Sequence, residues 1–449
     1  MRSEMTQSAF AGTCVLAMTL SSAEFPVAED ERQAEAVSAG TSRWYSIGAE
    51  FRNRTDAGSG FEFDPAHRHF YTLSRIRISS EIRPWSWLRM NIQVQDSRAL
   101  AGGDGDVREG MSNVADFRDA YIELGHAEGG KWQFRFGRQA LNLGDERLIG
   151  SDGEWCNRGR RFDGALAILR HADWEWNLFS GTMSQTNPFR LDGPQSRDRL
   201  TGVYGTWLKQ AWHLKVEPYL LLTKADRGFD PDDAEVSERM QLQTPGTRVM
   251  VDLPANSWFA SEMALQFGRG GGDHPTHARA WAGSWSAGHR LSDRATAPEL
   301  GLGYSFASGN REAEQAVGST RGTFDDLFPA GYNGNGALDP FAWRNLKDVT
   351  GSIEWHPVPR WRLASETHGY WLATKQDGLY VDDGPFVCRR AGASSSRLGV
   401  QVNAIAQYSR SKHWAVSFGY ARLFAGPYLQ EAGLGVSANS GFVAWTLRM

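Results

Sequence analysis

Arginine recurs beside apolar neighbours in this sequence, at Arg75, Arg77, Arg89, Arg135, Arg248, Arg279 and Arg362. Acids occupy the same kind of position: Glu50, Glu81, Asp119, Glu123, Glu217, Glu354 and Glu366. A guanidinium is a flat, permanently charged fork that grips a carboxylate through two hydrogen bonds. Arginines gathered on one surface therefore make a ladder for a ligand that carries carboxylates. The same arginines with acids among them also make a salt-bridge lattice that braces a wall. Where cations are in excess inside a low-dielectric channel, they focus a positive potential and draw in anions.

Other chemistry finds no support. The stretch GSWSAG at 283–288 is one residue out of the GxSxG pattern, and no Ser/His/Asp set can be nominated. There is no P-loop and no GxGxxG after a strand. The acidic stretch 230–238 lacks the glycine and ligand spacing of an EF-hand. Cys14, Cys156 and Cys388 are scattered, which supports neither zinc nor a disulfide framework and leaves only a Cys156–Cys388 pairing open. His277, His356 and His368 read as ordinary surface or lumen residues. The expectation is no catalytic residue, no metal, no cofactor and no enzyme.

The elements that must carry the arginines are strands. In RIRISSEIRPWSWLRMNIQVQDSRAL (75–100), Ile76, Ile78 and Ile82 alternate with Arg75, Arg77 and Glu81, and Leu88, Met90, Ile92 and Val94 with Arg89, Asn91 and Gln93. Trp132, Phe134 and Phe136 alternate with Gln133 and Arg135. About eighteen such stretches begin near 43, 67, 87, 116, 131, 160, 174, 200, 212, 245, 257, 276, 298, 347, 360, 396, 411 and 438. Short connections such as RPWSW, HADWEW and HPVPRW alternate with long polar ones, and aromatics crowd the strand ends. This is the layout of a closed antiparallel transmembrane β-barrel with short periplasmic turns, long extracellular loops and two aromatic girdles. With about eighteen strands its bore is wide enough for water.

Composition agrees. No run approaches the roughly 18 apolar residues of a transmembrane helix, and the mean hydropathy of −0.47 excludes a helical membrane protein. A net charge of −4 argues against a nucleic-acid partner. An apolar run at 10–20 followed by Ser21, Ser22 and Ala23 reads as a signal peptide over 1–23. Residues 24–42 read as a flexible leader, and 43–449 as one barrel domain in the bacterial outer membrane.

The segment FRFGRQALNLGDERLIGSDGEWCNRGRRFDGALAIL (134–169) resembles the alginate export family of outer-membrane barrels. The matching pieces are Gly137-Arg138-Gln139, the run from Gly144 to Gly150, Trp155 and Asn157, Gly159-Arg160 and Phe162-Asp163, with the paired early strands ending in Gln95-Asp96-Ser97-Arg98. The resemblance implies a monomeric barrel that passes a polyuronate through an arginine-lined constriction. Carried over to this sequence, it implies that Arg138, Arg160 and Asp163 belong to the lining, beside Arg75, Arg77, Arg89, Arg135 and Arg362. It also implies that Asp145, Glu146 and Arg147 bend the loop after the fifth strand into the lumen and lock it by local ion pairs. The expected partners are an anionic polysaccharide or oligosaccharide, outer-membrane lipid and periplasmic export components. An anion-selective porin for small acids, and an adhesin or enzyme acting through its loops, are the alternative readings.

Overall fold

A strand that crosses lipid must pair its backbone N–H and C=O groups with its neighbours, so a spanning sheet has to close on itself. The computed structural model describes residues 44–101, 111–126, 130–151, 156–187, 190–228, 237–270, 276–311, 320–331, 334–381, 386–390 and 392–449. The expected signal peptide (1–23), leader (24–42), Trp155 and most of the acidic stretch 230–238 lie outside the described residues.

Eighteen long strands follow in chain order: β1 (Tyr45–Ser59), β2 (Arg68–Trp85), β3 (Leu88–Ala101), β4 (Asn113–Gly125), β5 (Trp132–Gln139), β6 (Phe162–His171), β7 (Trp174–Gln185), β8 (Gly193–Lys209), β9 (Leu214–Gly228), β10 (Ser237–Leu253), β11 (Ser257–Gly270), β12 (Thr276–Arg290), β13 (Glu299–Ala307), β14 (Leu346–Trp355), β15 (Trp361–Leu372), β16 (Arg397–Ser411), β17 (Trp414–Ala425) and β18 (Ala438–Arg448). With the two-residue piece Thr320–Arg321 they form one 19-stranded sheet. Consecutive long strands pair antiparallel, and β1 pairs with both β2 and β18, which closes the barrel. Most strands begin where the alternation places them. β8 and β10 begin earlier, at 193 and 237: β8 opens on a polar stretch, while β10 already alternates buried Met240 and Leu242 with Arg239, Gln241 and Gln243. Backbone pairing continues along both extensions.

The two faces of each strand differ as the lipid requires. On β2 and β3, Ile76, Ile78 and Ile92 are exposed on the outside, while Arg75, Arg77, Gln95 and Ser97 are buried within. On β13, Leu300 and Leu302 face out and Gly301 and Gly303 face in, opposite Gly288, Ser286, Ser352 and Thr350. Tryptophans cluster at the short-turn rim, with Trp85 stacked on Trp87 at 5.4 Å, Trp174 on Trp176 at 4.9 Å, and Trp361 against Tyr408 at 5.2 Å. At the long-loop rim, outward aromatics such as Phe267, Trp281 and Phe424 stand among cations.

The interior is not uniformly polar. On β6 to β9 the lumen-facing residues Phe162, Leu166, Phe179, Leu200, Tyr204, Tyr219 and Leu221 form one buried cluster. Gly246 faces Tyr219 across the β9–β10 pair, and a Cβ there would fall 2.3 Å from the Tyr219 ring. The missing side chain lets Tyr219 lie flat against Tyr204, with centroids 5.7 Å apart. Such an apolar arc would be unfavourable against water, and the chain covers it with its own loops. Cys156 and Cys388 are free thiols.

The face assignment is testable. Ile78→Arg should destabilise the barrel by about 2–4 kcal/mol, the cost of a cation near the bilayer midplane. Ser79→Arg, one residue on and facing the lumen, should cost far less. Urea unfolding in liposomes measures both, and equal costs would contradict the assignment.

Candidate functional site

Two segments fold into the bore. In the first, Gly144 (φ 64°) and Glu146 (φ 63°) adopt left-handed backbone and turn the chain, so that the Leu143 N–H donates to the Ile149 carbonyl at 3.1 Å. This carries Leu141, Leu148 and Ile149 into the apolar cluster of β6 to β9. The second segment, within 322–345, lies alongside. The Gly150 N–H donates to the Phe328 carbonyl (2.9 Å), the Phe328 N–H to Leu148 (3.0 Å) and the Ala330 N–H to Glu146 (2.9 Å). The second segment reaches from β11, where the Asp325 N–H donates to Gln266 at 2.8 Å, to β15, where the Tyr370 hydroxyl donates to the Asn335 carbonyl at 2.6 Å.

The inward fold of 322–331 and 334–345 is the feature that sequence reasoning missed, because the stretch sits in a long connection. Its signal was apolar density: Phe324, Leu327, Phe328, Phe341 and Trp343 are all buried, and a solvated loop has no reason to carry them.

The expected lining residues fall into three groups. Arg77, Arg89 and Arg135 project into the bore from β2, β3 and β5, and Arg362 from β15, where its Nη2 lies 2.9 Å from Glu354. Arg75 also points inward, but it is fully buried, bound to Glu50 (2.7 Å) and to the Cys156 carbonyl (2.8 Å). Arg160 donates to the Gly150 and Pro329 carbonyls at 3.1 and 2.7 Å and so ties the two inward segments together. Arg138 and Asp163 stand opposite each other in register and form a two-pronged pair at 2.8 and 3.0 Å. By strand alternation they share the side of Phe134 and Phe136, not that of Arg135. Arg138 also takes up the Phe117 and Asp192 carbonyls, spanning the end of the short strand β5. In the first segment, the Arg147 Nε lies 3.9 Å from Asp145 and its guanidinium covers the Trp343 ring at 4.8 Å. That ion pair is long, and apolar burial together with the three backbone bonds supplies most of the hold. Burial pushes the Asp145 carboxyl up, but Arg248, Arg147 and backbone N–H groups outweigh it and keep the group below its ordinary range. Arg279, expected in the lumen, is instead outside: it stands opposite the outward-facing Phe267, and its neighbours Ala278 and Ala280 are the buried ones.

Charge is divided across the bore. Glu50 serves Arg75, Arg77 and Arg448; Glu81 serves Arg83 and Arg89; Glu123 serves Arg89 and Arg135. Six guanidinium groups share these three carboxylates. The opposite arc, β11 to β15, carries Glu262, Asp348, Glu354 and Glu366, answered by His368 at 2.9 Å from Asp348 and by Arg362. The space left open under the inward segments is lined by Asp145, Arg147, Arg248, Glu262, Ser284, Ser286, Thr350, Glu366 and His368. Among the described residues no group of His, Cys, Asp and Glu has the geometry to hold a metal ion.

At the outer rim, Asp192 packs against β4. Its N–H donates to Asp116, and its carboxylate accepts from Asn113 (3.2 Å) and the Asn187 N–H (2.7 Å). Burial, and behind it the neighbouring Asp116 carboxylate, push Asp192 up to about 6 against the pull of the Asn187 amide and Arg138.

Comparison with known proteins agrees with this architecture. Residues 43–443 match the family described as "Alginate export". No curated protein sequence matches. Among solved structures, Acinetobacter baumannii OccAB1 superposes with a TM-score of 0.59 at 11% identity, covering 90% of this chain and 96% of that one. Pseudomonas aeruginosa OccK11 (OpdR) gives 0.55 at 14% identity, covering 90% and 96%. Pseudomonas aeruginosa OccK2 (OpdF) in complex with glucuronate gives 0.55 at 10% identity, covering 90% and 98%. At these identities the likeness is one of fold.

Two outcomes are expected. Ile149→Ala combined with Phe328→Ala should weaken the hold on the inward segments by about 2–5 kcal/mol per large-to-small change. Single-channel conductance should then rise and become noisy while the barrel still shows heat-modifiable gel mobility; unchanged conductance would mean that the segments do not limit the path. For Asp192 the folded value exceeds the ordinary one of about 3.9, so its contribution to holding the 186–192 loop is complete below that value and is lost as pH rises through about 6. Rate-corrected hydrogen exchange at 190–193 should therefore speed up between about pH 4 and pH 7, and Asp192→Asn should abolish that dependence.

Proposed function

This chain belongs to the alginate export family of outer-membrane channels, and on that premise we propose that it passively conducts uronate-bearing solutes, an alginate-like polyuronate or its oligomers, as a single barrel. The observation that carries the reading is the division of charge across the bore. A uronate residue has a carboxylate at one edge and hydroxyls at the others. The cation-rich arc of β1 to β5 suits the carboxylate. The facing arc offers acceptors for the hydroxyls in Glu262, Glu366, Ser284, Ser286 and Thr350. A channel for simple anions has no use for that second arc.

Within this reading Arg89, Arg135 and Arg362 are the arginines that touch the solute, since they keep part of their surface open to the bore. Arg147 stands above them in the constriction, with Asp145 and Glu146 shaping its turn. Arg75, Arg138, Arg160 and Asp163 act as braces. Arg77, almost closed off beside Glu50 and Gln95, contributes charge rather than contact. Periplasmic export components would deliver the polymer to the short-turn side.

A second reading, a porin for small acidic solutes, is favoured by one observation: the two inward segments narrow the bore. The solved OccK2 complex with glucuronate suggests the monomer as a probe that separates the readings.

In planar bilayers the protein should prefer anions, with a preference that shrinks as salt screens the field. Arg135→Glu should lower that preference while Arg89 continues to neutralise Glu123. Oligouronates should block the small-anion current more strongly than acetate or benzoate at matched charge. Glu262→Gln with Asp348→Asn should erase that difference without abolishing conductance. Cation preference at low salt would overturn the proposal, and block by glucuronate without block by longer oligomers would favour the small-solute porin.

A further inference from the structure

On the outside of the barrel, from β8 to β12, strand register lines up cations that no described residue answers. Arg199 stands opposite Lys224, Lys224 opposite Gln241, Gln241 opposite Arg269, and Arg269 opposite His277. The adjacent row toward the membrane runs Leu222, Gln243, Phe267 and Arg279. The row after that contains Leu220, Leu265 and Trp281, all exposed to lipid. These side chains point outward because their strand neighbours Leu200, Thr223, Gln266, Ala278 and Ala280 are buried in the interior. Among the described residues, Arg199, Lys224, Arg269 and Arg279 have no ion-pair or hydrogen-bond partner for their side chains.

Like charges directly opposite each other on neighbouring strands destabilise a sheet. Arg199 with Lys224 is such a placement, and nothing among the described residues offsets its cost. Strands lie about 4.8 Å apart, which puts Arg199 and Arg269 roughly 14 Å apart along the row. Long basic side chains bring their heads within reach of one bound polyanion across that span. The row begins where the apolar lipid-facing surface ends, at the long-loop rim. Elsewhere on the barrel, at the ends of β2, β3 and β7, the short-turn rim carries stacked indoles.

We propose that this arc binds the headgroup of an outer-leaflet lipid that carries more than one phosphate, with Arg199, Lys224, Arg269 and Arg279 as the phosphate ligands and Leu222, Phe267, Leu265 and Trp281 against its acyl chains. Guanidinium forks match phosphate oxygens bidentately, and basic residues at a membrane surface are the usual means of holding anionic lipid. The bore plays no part in this site, so the proposal stands apart from the question of what the channel conducts.

The test uses the full-length barrel in nanodiscs doped with bis-phosphorylated lipid A, dephosphorylated lipid A or phosphatidylcholine, with retained lipid counted by native mass spectrometry. The phosphorylated form should be retained selectively. Combining Arg199→Gln, Lys224→Gln, Arg269→Gln and Arg279→Gln should weaken that retention at least about tenfold, while heat-modifiable mobility and single-channel current stay as in the parent. Arg269→Gln alone should give a smaller loss, which keeps the test readable if the quadruple variant fails to fold. Arg422→Gln, an outward cation on a distant arc, should leave retention nearly unchanged. Equal retention of the dephosphorylated lipid, equal loss with Arg422→Gln, or full displacement by millimolar inorganic phosphate would overturn the proposal. So would dimers or trimers held through this arc in lipid-free detergent, since the face would then belong to a second copy.

Discussion

Every other feature of this protein depends on the requirement that backbone groups be satisfied inside lipid. That requirement closes eighteen long strands into one barrel. Closure fixes the register, and register decides which side chains meet. Arg448, Glu50 and Arg77 stand in one lumen row because β18, β1 and β2 are hydrogen-bonded neighbours. Arg89, Glu123 and Arg135 form a second row for the same reason. A carboxylate flanked by two arginines across the strands lowers the cost of burying all three charges, yet it leaves the row one charge positive. The residues that brace the wall are thus also the ones that carry its charge. The two readings of the arginines were alternatives only while their partners were unknown.

The bore of so many strands is too wide to be filled by wall side chains, and the chain fills part of it from within. The lumen side of β6 to β9 is apolar enough to bury Leu141, Leu148 and Ile149, and the second segment seals the contact with Phe324, Phe328 and Trp343. Hydrophobic burial, which usually builds the core of a soluble domain, here holds two loop segments inside the barrel. The charged turn at Asp145 and Arg147 is carried on that apolar anchor, which sets it opposite Arg248 and Glu262 in the open space.

Much of the barrel was legible in the sequence, because lipid imposes a rule with period two and the rule leaves its trace in nearly every strand. Strand β2 was readable from Ile76 and Ile78, and its lumen arginines from the residues between them. What the rule does not reach was harder to read. The outer arm of β8 is polar and carries no apolar signature, and that of β10 shows only two apolar residues, Met240 and Leu242, among polar ones. The 322–345 segment follows neither period, and its burial showed only as misplaced phenylalanines and a tryptophan. Arg138 and Arg279 show a different difficulty. The family resemblance placed Arg138 in the lumen and the polar-face reading placed Arg279 there, but phase speaks otherwise, since Arg138 keeps step with Phe134 and Phe136 and Arg279 with the lipid-facing Trp281. In such a wall, phase outranks residue type.

The division of charge across the lumen gains its force from the constriction. At physiological ionic strength the field of an exposed charge fades over about 8 Å, so opposite walls of an open bore this wide would act on a solute one at a time. The inward segments bring Arg147 and Asp145 between the walls and confine the path to a space where Glu262, Glu366 and His368 are on the same boundary. A passing solute is then within reach of both signs at once, and its orientation counts as well as its net charge. Apolar anchoring of the segments and chemical discrimination in the bore are therefore coupled. Loosening the first would widen the gap between the walls beyond the range of their fields, and the second would fade although no charged residue had changed.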